Sequence, residues 1–290
     1  MTPPTFDLQS HSRWSDGELP PAGVVAAAAA AGVELLALTD HDAVDGVDEA
    51  LASGIEHGVR VVAGAELSAL DETHEDLHVC AYLLDHHAPA LQAALTEFRE
   101  DRNARGGRML TALEQCGWAL DRAAVDTRAA DGSPVGRPHL ARAVWDHPDN
   151  RERLREEGLT DSSKVLEAYL IPGAPAYRRR TTPTVQEAID VIHDAGGLAV
   201  WAHPFWDLDE DAAVLDAVDR FAAMGLDGVE CFYVTHSEAQ TRLVAGHCER
   251  RGLLTTGSAD FHGPQHLRFD AFRAFSTYDL TPRLGPIAEA

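Results

Sequence analysis

Histidines and carboxylates recur where predicted strands of this chain run out. Gln9, His11 and Asp16 stand in "DLQSHSRWSDGE", Asp40 and His41 in "LTDHD", and Glu66 in "GAELS". His78 follows in "DLHVCAY", His203 in "VWAHP", and Asp260 and His262 in "SADFH". A single histidine is more often a surface or satisfied core residue than a ligand, and an aspartate after a strand is usually a turn former. Repetition at separate strand ends changes the reading: gathered together, these groups would repel or compete unless a positive charge sat among them. Divalent ions supply that charge. Mixed imidazole and carboxylate shells suit zinc, manganese or iron rather than the oxygen-only shells of calcium. We expect two or three such ions, with Glu66 bridging. Alternation along a strand turns Gln9 and His11 to one side, and Asp260 and His262 likewise.

The elements that must position these groups follow from period and punctuation. A strand running to Gln9–His11 leads into a proline-started helix from Pro21 through the alanines to Gly32, whose glycine suits a helix end. Then come the buried-type strand "VELLALTDHD", the helix "DAVDGVDEALASGIEHG" and the strands "VRVVAGAELSA" and "LHVCAYLLD". The last third alternates helix and strand again, from "TVQEAIDVIHDAGG" to "LLTTGSADFHG". Such alternation implies parallel strands with crossover helices, and we expect an α/β fold closed into a barrel whose C-terminal mouth collects the polar residues. Between 96 and 180 the strand signal stops, and "RPHLARAVW" and "KVLEAYLI" read as helices. The expected organisation is therefore a barrel of residues 1–95 and 181–290 interrupted by a helical insertion, 96–180.

Bulk properties exclude some functions. The formal charge of −23 over 290 residues makes an anionic membrane surface or a stable nucleic-acid complex a poor expectation, and an anionic substrate would need a locally positive pocket. Four cysteines without CxxC spacing argue against zinc ribbons and disulfide scaffolds and fit reduced thiols in a cytoplasmic protein. The N-terminus lacks a basic-then-apolar signal segment, and no apolar run is long enough to span a bilayer. No GxSxG elbow or P-loop occurs.

Taken in order, "DLQSHSRWSDGE", "LTDHD", "GAELS", "LHVCAYLLD", "GGLAVWAHP" and "GSADFHG" resemble the motifs of the PHP (polymerase and histidinol phosphatase) family of metal-dependent phosphoesterases. The insertion, with "GRPHLARA", further resembles the branch containing 3',5'-nucleotide bisphosphate phosphatases and 5'-to-3' exoribonucleases. The resemblance implies a distorted (β/α)7 barrel holding up to three ions of manganese, iron or zinc. It implies His11, Glu66 and Asp260 around one ion, Glu66, His78 and His203 around a second, and Asp16, His41 and His262 around a third. The family usually has a further histidine where this chain has Gln9, whose amide oxygen is a harder and weaker ligand for transition metals.

Ions around a bridging hydroxide neutralise phosphoryl oxygens and lower the pKa of water, so in-line attack on phosphorus needs no protein nucleophile. The expected substrate is a small anionic phosphate ester: a 3',5'-bisphosphonucleotide or the 5' end of a short oligonucleotide. Asp260, His41 and His203 are the expected catalytic residues, either imidazole being able to protonate the departing alkoxide. Arg137 and His139 in "GRPH" and Arg178 in "AYRRR" are the expected phosphate-binding residues, since guanidinium forks match phosphate oxygens. Glu230 and His236 stand as supports behind the ligands. Two other readings remain: a histidinol-phosphate or sugar-type phosphomonoesterase, and a catalytically weakened metal-binding module. Oligomeric state is not legible.

Overall fold

The computed structural model of the protein describes residues 4–289 other than 73, 75, 124, 126 and 128–134. Seven strands form one sheet in chain order: β1 (Phe6–Asp7), β2 (Leu35–Leu38), β3 (Arg60–Ala69), β4 (Leu77–Tyr82), β5 (Leu198–Trp201), β6 (Gly228–Tyr233) and β7 (Leu254–Ser258). The edges of the sheet approach each other. Beyond β1 the Leu8 amide donates to the Gly257 carbonyl at 3.2 Å, Ser10 bridges Phe261 in parallel, and the His11 amide donates to the Phe261 carbonyl at 2.8 Å. The result is a nearly closed α/β barrel. Its interior is filled by Leu8, Ala37, Val62, Cys80, Tyr82, Val200 and Ala202, and the Tyr82 hydroxyl donates to the Leu8 carbonyl at 2.8 Å.

Helices Pro21–Ala30 and Val47–His57 link β1, β2 and β3, and helices Asp211–Ala223 and Glu238–Arg251 link β5, β6 and β7. All these pairings are parallel. Local signals set the helix ends. Thr184 and Glu187 form a reciprocal capping pair ahead of helix Val185–Asp194, Ser237 and Gln240 do the same ahead of Glu238–Arg251, and Gly58 and Gly252 close two helices in the left-handed conformation. The alanine-rich first helix buries Val24, Val25 and Ala28 against Leu36 and Leu38. No helix among the described residues is long and apolar enough to cross a membrane.

The expectation of uniformly parallel strands needs correction at β4, which is antiparallel to both β3 and β5. Only the segment from Leu70 to Asp76 separates β3 from β4, too short for the dozen or more residues that a parallel crossover requires. His78 is accordingly the second residue of its strand rather than the last, and reaches the same rim because the strand runs the other way.

The chain forms two compact units: Met1–Leu95 with Pro183–Ala290, which contains the barrel, and Thr96–Thr182. The second unit is helical. Arg137–Asp146 and Ser162–Tyr169 pack there around Met109, Leu113, Trp118, Leu140, Val144 and Val165.

Candidate metal centre

Glu66 organises the mouth of the barrel. Fully buried in β3, its carboxylate faces four imidazoles: Oε2 lies 3.1 Å from His11 Nε2 and 3.4 Å from His41 Nδ1, while Oε1 lies 2.7 Å from His78 Nδ1 and 3.2 Å from His203 Nε2. His78 Nδ1 and His203 Nε2 are themselves 3.3 Å apart. Asp260 Oδ1 stands 3.0 Å from His11 Nε2. On the far side of His11, Asp16 lies 3.7 Å from His41 Nε2 and 3.5 Å from His262 Nε2. Three overlapping groups, His11 with Glu66 and Asp260, His41 with Glu66 and His78, and His11 with Asp16, His41 and His262, each present donor atoms within 4.8 Å of one another. His41 belongs to two of them, offering one ring nitrogen toward Glu66 and the other toward Asp16.

A test of whether these residues fit divalent ions comes from their hydrogen bonding. His11 Nε2, Glu66 Oε2 and Asp260 Oδ1 are buried and crowd together, the imidazole nitrogen 3.1 Å and 3.0 Å from the two oxygens, an arrangement that calls for a proton or a cation among them. Gln9 is fully buried, and neither atom of its amide has a hydrogen-bond partner among the described residues. Leaving such atoms unsatisfied costs about 1–3 kcal/mol each, and a bound cation would offset that cost at the amide oxygen. The donor set fits.

The electrostatics agree. Burial would push Glu66 up, but His41, His78, His11 and His203 hold it well below the ordinary carboxylate range. Burial would likewise raise Asp260, and His262 and His11 bring it down to about 2. Burial works against a charged His11, yet Asp260 and Glu66 hold its imidazole well above the ordinary value. Without metal a proton on His11 thus matches the Glu66 and Asp260 carboxylates, and a divalent ion would take the place of that proton.

A layer of supports fixes these side chains. Asp40 accepts from the Ser12 amide and from both the Ser12 and Ser15 hydroxyls at 2.6–2.7 Å, pinning the loop that carries His11 and Asp16. Asp42 accepts from the Ser68 amide at 2.9 Å and from its hydroxyl, locking the turn after His41 to β3. Glu230 accepts from the His203 amide at 2.9 Å and engages the Ser258 hydroxyl at 2.6 Å; burial pushes its carboxyl up to about 8. The Tyr233 hydroxyl donates to Asp260 Oδ2 at 2.8 Å, leaving Oδ1 to the cluster. Asp42, His203 and Asp260 all adopt positive φ, at 50°, 30° and 56°. Non-glycine residues rarely sit there, and such strain concentrates at functional sites.

His236 is buried. Its Nδ1 lies 3.1 Å from the Cys231 carbonyl oxygen, and burial pulls the imidazole down to about 4, so the ring is neutral. The ring of His266 packs 5.0 Å from that of His262. Arg137, His139 and Arg178 belong to the helical unit. Arg137 opens a helix there, and the His139 ring accepts from the Gly136 amide at 3.0 Å. Arg178 donates to the Tyr177 carbonyl at 2.7 Å and lines an open cavity of about 470 Å³ with Arg108 and Thr111. Asp42, Tyr233 and the role of Ser12 and Ser15 escaped the sequence reading. The alternate aspartates of "TDHD" could have pointed to Asp42, whereas nothing local marks Tyr233.

Comparison with known proteins gives this geometry a family. The PHP domain model matches residues 7–116. A 3',5'-nucleoside bisphosphate phosphatase of Chromobacterium violaceum is 34% identical over 286 residues, covering 97% of this chain and 94% of the relative. The chain belongs to the PHP family. A further relative, a 5'-3' exoribonuclease of Haemophilus influenzae, is 29% identical over 89% of this chain and 90% of its own length. A solved Chromobacterium violaceum structure, described as an amidohydrolase with bound sulfate and no metal, superposes with a TM-score of 0.82 at 31% identity, covering 99% of this chain and 95% of that one. As a PHP protein the chain is a metal-dependent hydrolase of phosphoric esters, and the buried acid and imidazole groups at its barrel mouth are its candidate metal sites.

Proposed function

We propose that this PHP protein hydrolyses phosphate esters of nucleotides, either 3',5'-bisphosphonucleotides or the 5' ends of short oligonucleotides, with two or three manganese, iron or zinc ions at the barrel mouth. The observation that carries the reading is Glu66, a fully buried carboxylate facing four imidazoles. The nucleotide assignment is supported by the activities of the Chromobacterium and Haemophilus relatives. His11, Glu66 and Asp260 would hold one ion, Glu66, His78 and His203 a second, and Asp16, His41 and His262 a third. Gln9 would add its amide oxygen. Bound ions would supply Lewis acidity toward the phosphoryl group and a nucleophilic water at neutral pH.

The protein's own residues prepare and finish the reaction. Tyr233 orients Asp260, Glu230 orients the backbone of His203, and Asp40 holds the loop of His11 and Asp16. His41 and His203 are the imidazoles assigned to return a proton to the departing alkoxide, each from the ring nitrogen that would not hold an ion. Arg137, His139 and Arg178 are assigned to substrate phosphate, and for Arg178 the assignment is supported by the guanidinium of Arg108 along the same cavity of the helical unit. A chain of net charge −23 holds no long nucleic acid stably, so the partner is a small ester or short oligonucleotide. Four free cysteines suit a cytoplasmic location.

The test is metal analysis of the purified protein, then phosphate release from a 3',5'-bisphosphonucleotide, a nucleoside monophosphate and histidinol phosphate with added manganese. The bisphosphonucleotide should turn over fastest. Faster release from histidinol phosphate would transfer the assignment to sugar-type esters, and absence of both activity and bound transition metal would leave only a weakened binding module.

A further inference from the structure

Trp206 lies three residues after His203, on the helical turn Pro204–Asp207, and is 47% exposed, whereas Trp118 and Trp201 are buried. Its indole stands 5.8 Å from the ring of Phe269, which stands 5.4 Å from the ring of His262. His262 in turn stacks on His11 at 4.2 Å. A continuous file of rings therefore leads from the candidate metal centre out to a half-open indole. The guanidinium of Arg268 lies 5.3 Å from the centre of that indole, and no carboxylate among the described residues pairs with it. In a chain with 47 acidic and 24 basic residues, an arginine left to an aromatic face beside the site is conspicuous.

The segment presenting Phe269 and Arg268 is fixed in advance. The His262 amide donates to the Phe269 carbonyl at 2.9 Å, the Phe269 amide to His266 Nδ1 at 3.0 Å, and the Gln265 amide to Glu18 Oε2 at 2.9 Å. Gly263 has φ of +147°, and a Cβ there would stand 2.5 Å from the Glu18 carboxylate. A rigid aromatic surface costs little ordering entropy when a flat ligand settles on it. Every base has a π-face, so such a surface accepts bases without reading their sequence, and an arginine adds cation–π attraction.

We infer that Trp206 and Arg268 form the platform that receives the base of the substrate, so that the preferred ester is one whose alcohol carries a flat heteroaromatic ring near the scissile phosphate. This deepens the proposed function and rests on it for the reacting phosphate. Trp206 and Arg268 are specificity-determining residues, touching the part of the substrate that does not react.

The experiment compares wild type with Trp206→Ala, Trp206→Phe and Arg268→Ala in two measurements. The first is the ratio of kcat/KM for adenosine 3',5'-bisphosphate to that for ribose 5-phosphate, which has no base. The second is the ratio of calorimetric affinities for adenosine 5'-monophosphate and ribose 5-phosphate in the metal-free protein. Both ratios should fall about tenfold or more in Trp206→Ala, the scale of losing one base–aromatic stack. Trp206→Phe should keep most of the ratio, with the catalytic loss residing in KM, and Arg268→Ala should fall between. Equal losses for the ligands with and without a base, or ratios unchanged from wild type, would overturn the platform. Should wild type hydrolyse no ester, the phosphoesterase reading falls, and the calorimetric ratio alone decides whether the platform exists.

Discussion

The barrel mouth and the helical unit Thr96–Thr182 follow opposite rules within one chain. In the helical unit the core is Met109, Leu113, Leu140, Val144 and Val165, while ion pairs such as Arg142 with Asp146 and Arg153 with Glu157 stay in or near solvent. At the mouth, Gln9, His11, Asp42 and Glu66 are fully buried, and Asp40, His203 and Asp260 nearly so. The first pattern is the default, because burying an unpaired charge costs several kcal/mol. The second persists only where a counter-charge is present, and its concentration at one rim marks where the protein gives up stability for chemistry.

That contrast breaks most visibly at Asp260. Asp260→Ala removes a carboxylate oxygen from the cluster and the acceptor of Tyr233, and phosphate release should drop by roughly a thousandfold or more. The metal-free variant should also unfold more easily than wild type in urea, since His11 loses a carboxylate partner and the buried Tyr233 hydroxyl its acceptor. Near-normal turnover would remove Asp260 from the site. In the helical unit the effect is of the other kind. Leu113→Ala, at a fully buried apolar position, should cost about 2–5 kcal/mol in denaturant unfolding. Bound metal per folded chain should stay at the wild-type level, and a fall in metal content would erase the distinction between the regions.

Glu230 sharpens the comparison through pH. Its carboxyl, ordinarily near 4.5, is pushed up to about 8 by burial. Between those values the folded protein keeps a proton that the unfolded chain has lost, so the metal-free protein should lose stability as pH rises from about 4.5 to about 8 and level off above. Glu230→Gln carries no such proton, and its stability should decline less over that range, by a few kcal/mol at most. Parallel urea midpoints for the two proteins between pH 5 and 8 would contradict the assignment. Smallest is Gln9→His, which replaces an amide with an imidazole and should tighten one metal site about tenfold in equilibrium dialysis. Equal affinity in both proteins would mean that Gln9 only packs.

Much of this was legible in the residues because barrels advertise themselves: alternating strands and helices fixed the architecture, and histidines at strand ends that are far apart in sequence marked the rim. What escaped depends on distance across the fold. The antiparallel course of β4 follows from a short loop, Leu70 to Asp76, that reads as an ordinary connection until its length is weighed against a crossover. The bond from Tyr233 to Asp260 joins the end of β6 to the turn beyond β7. The approach of Phe269 to Trp206 needs the folded-back segment after His262. Neither contact leaves a local pattern.

The central claim is that a proton on buried His11 stands in for a cation between Glu66 and Asp260. It is tested most directly by titrating the metal-free protein with zinc or manganese in a pH-stat and reading both uptake and acid released. Two or three ions bound per chain with protons released, and both signals lost or sharply reduced in Glu66→Gln, is the predicted result. Uptake without proton release, or an unchanged titration in Glu66→Gln, would contradict it.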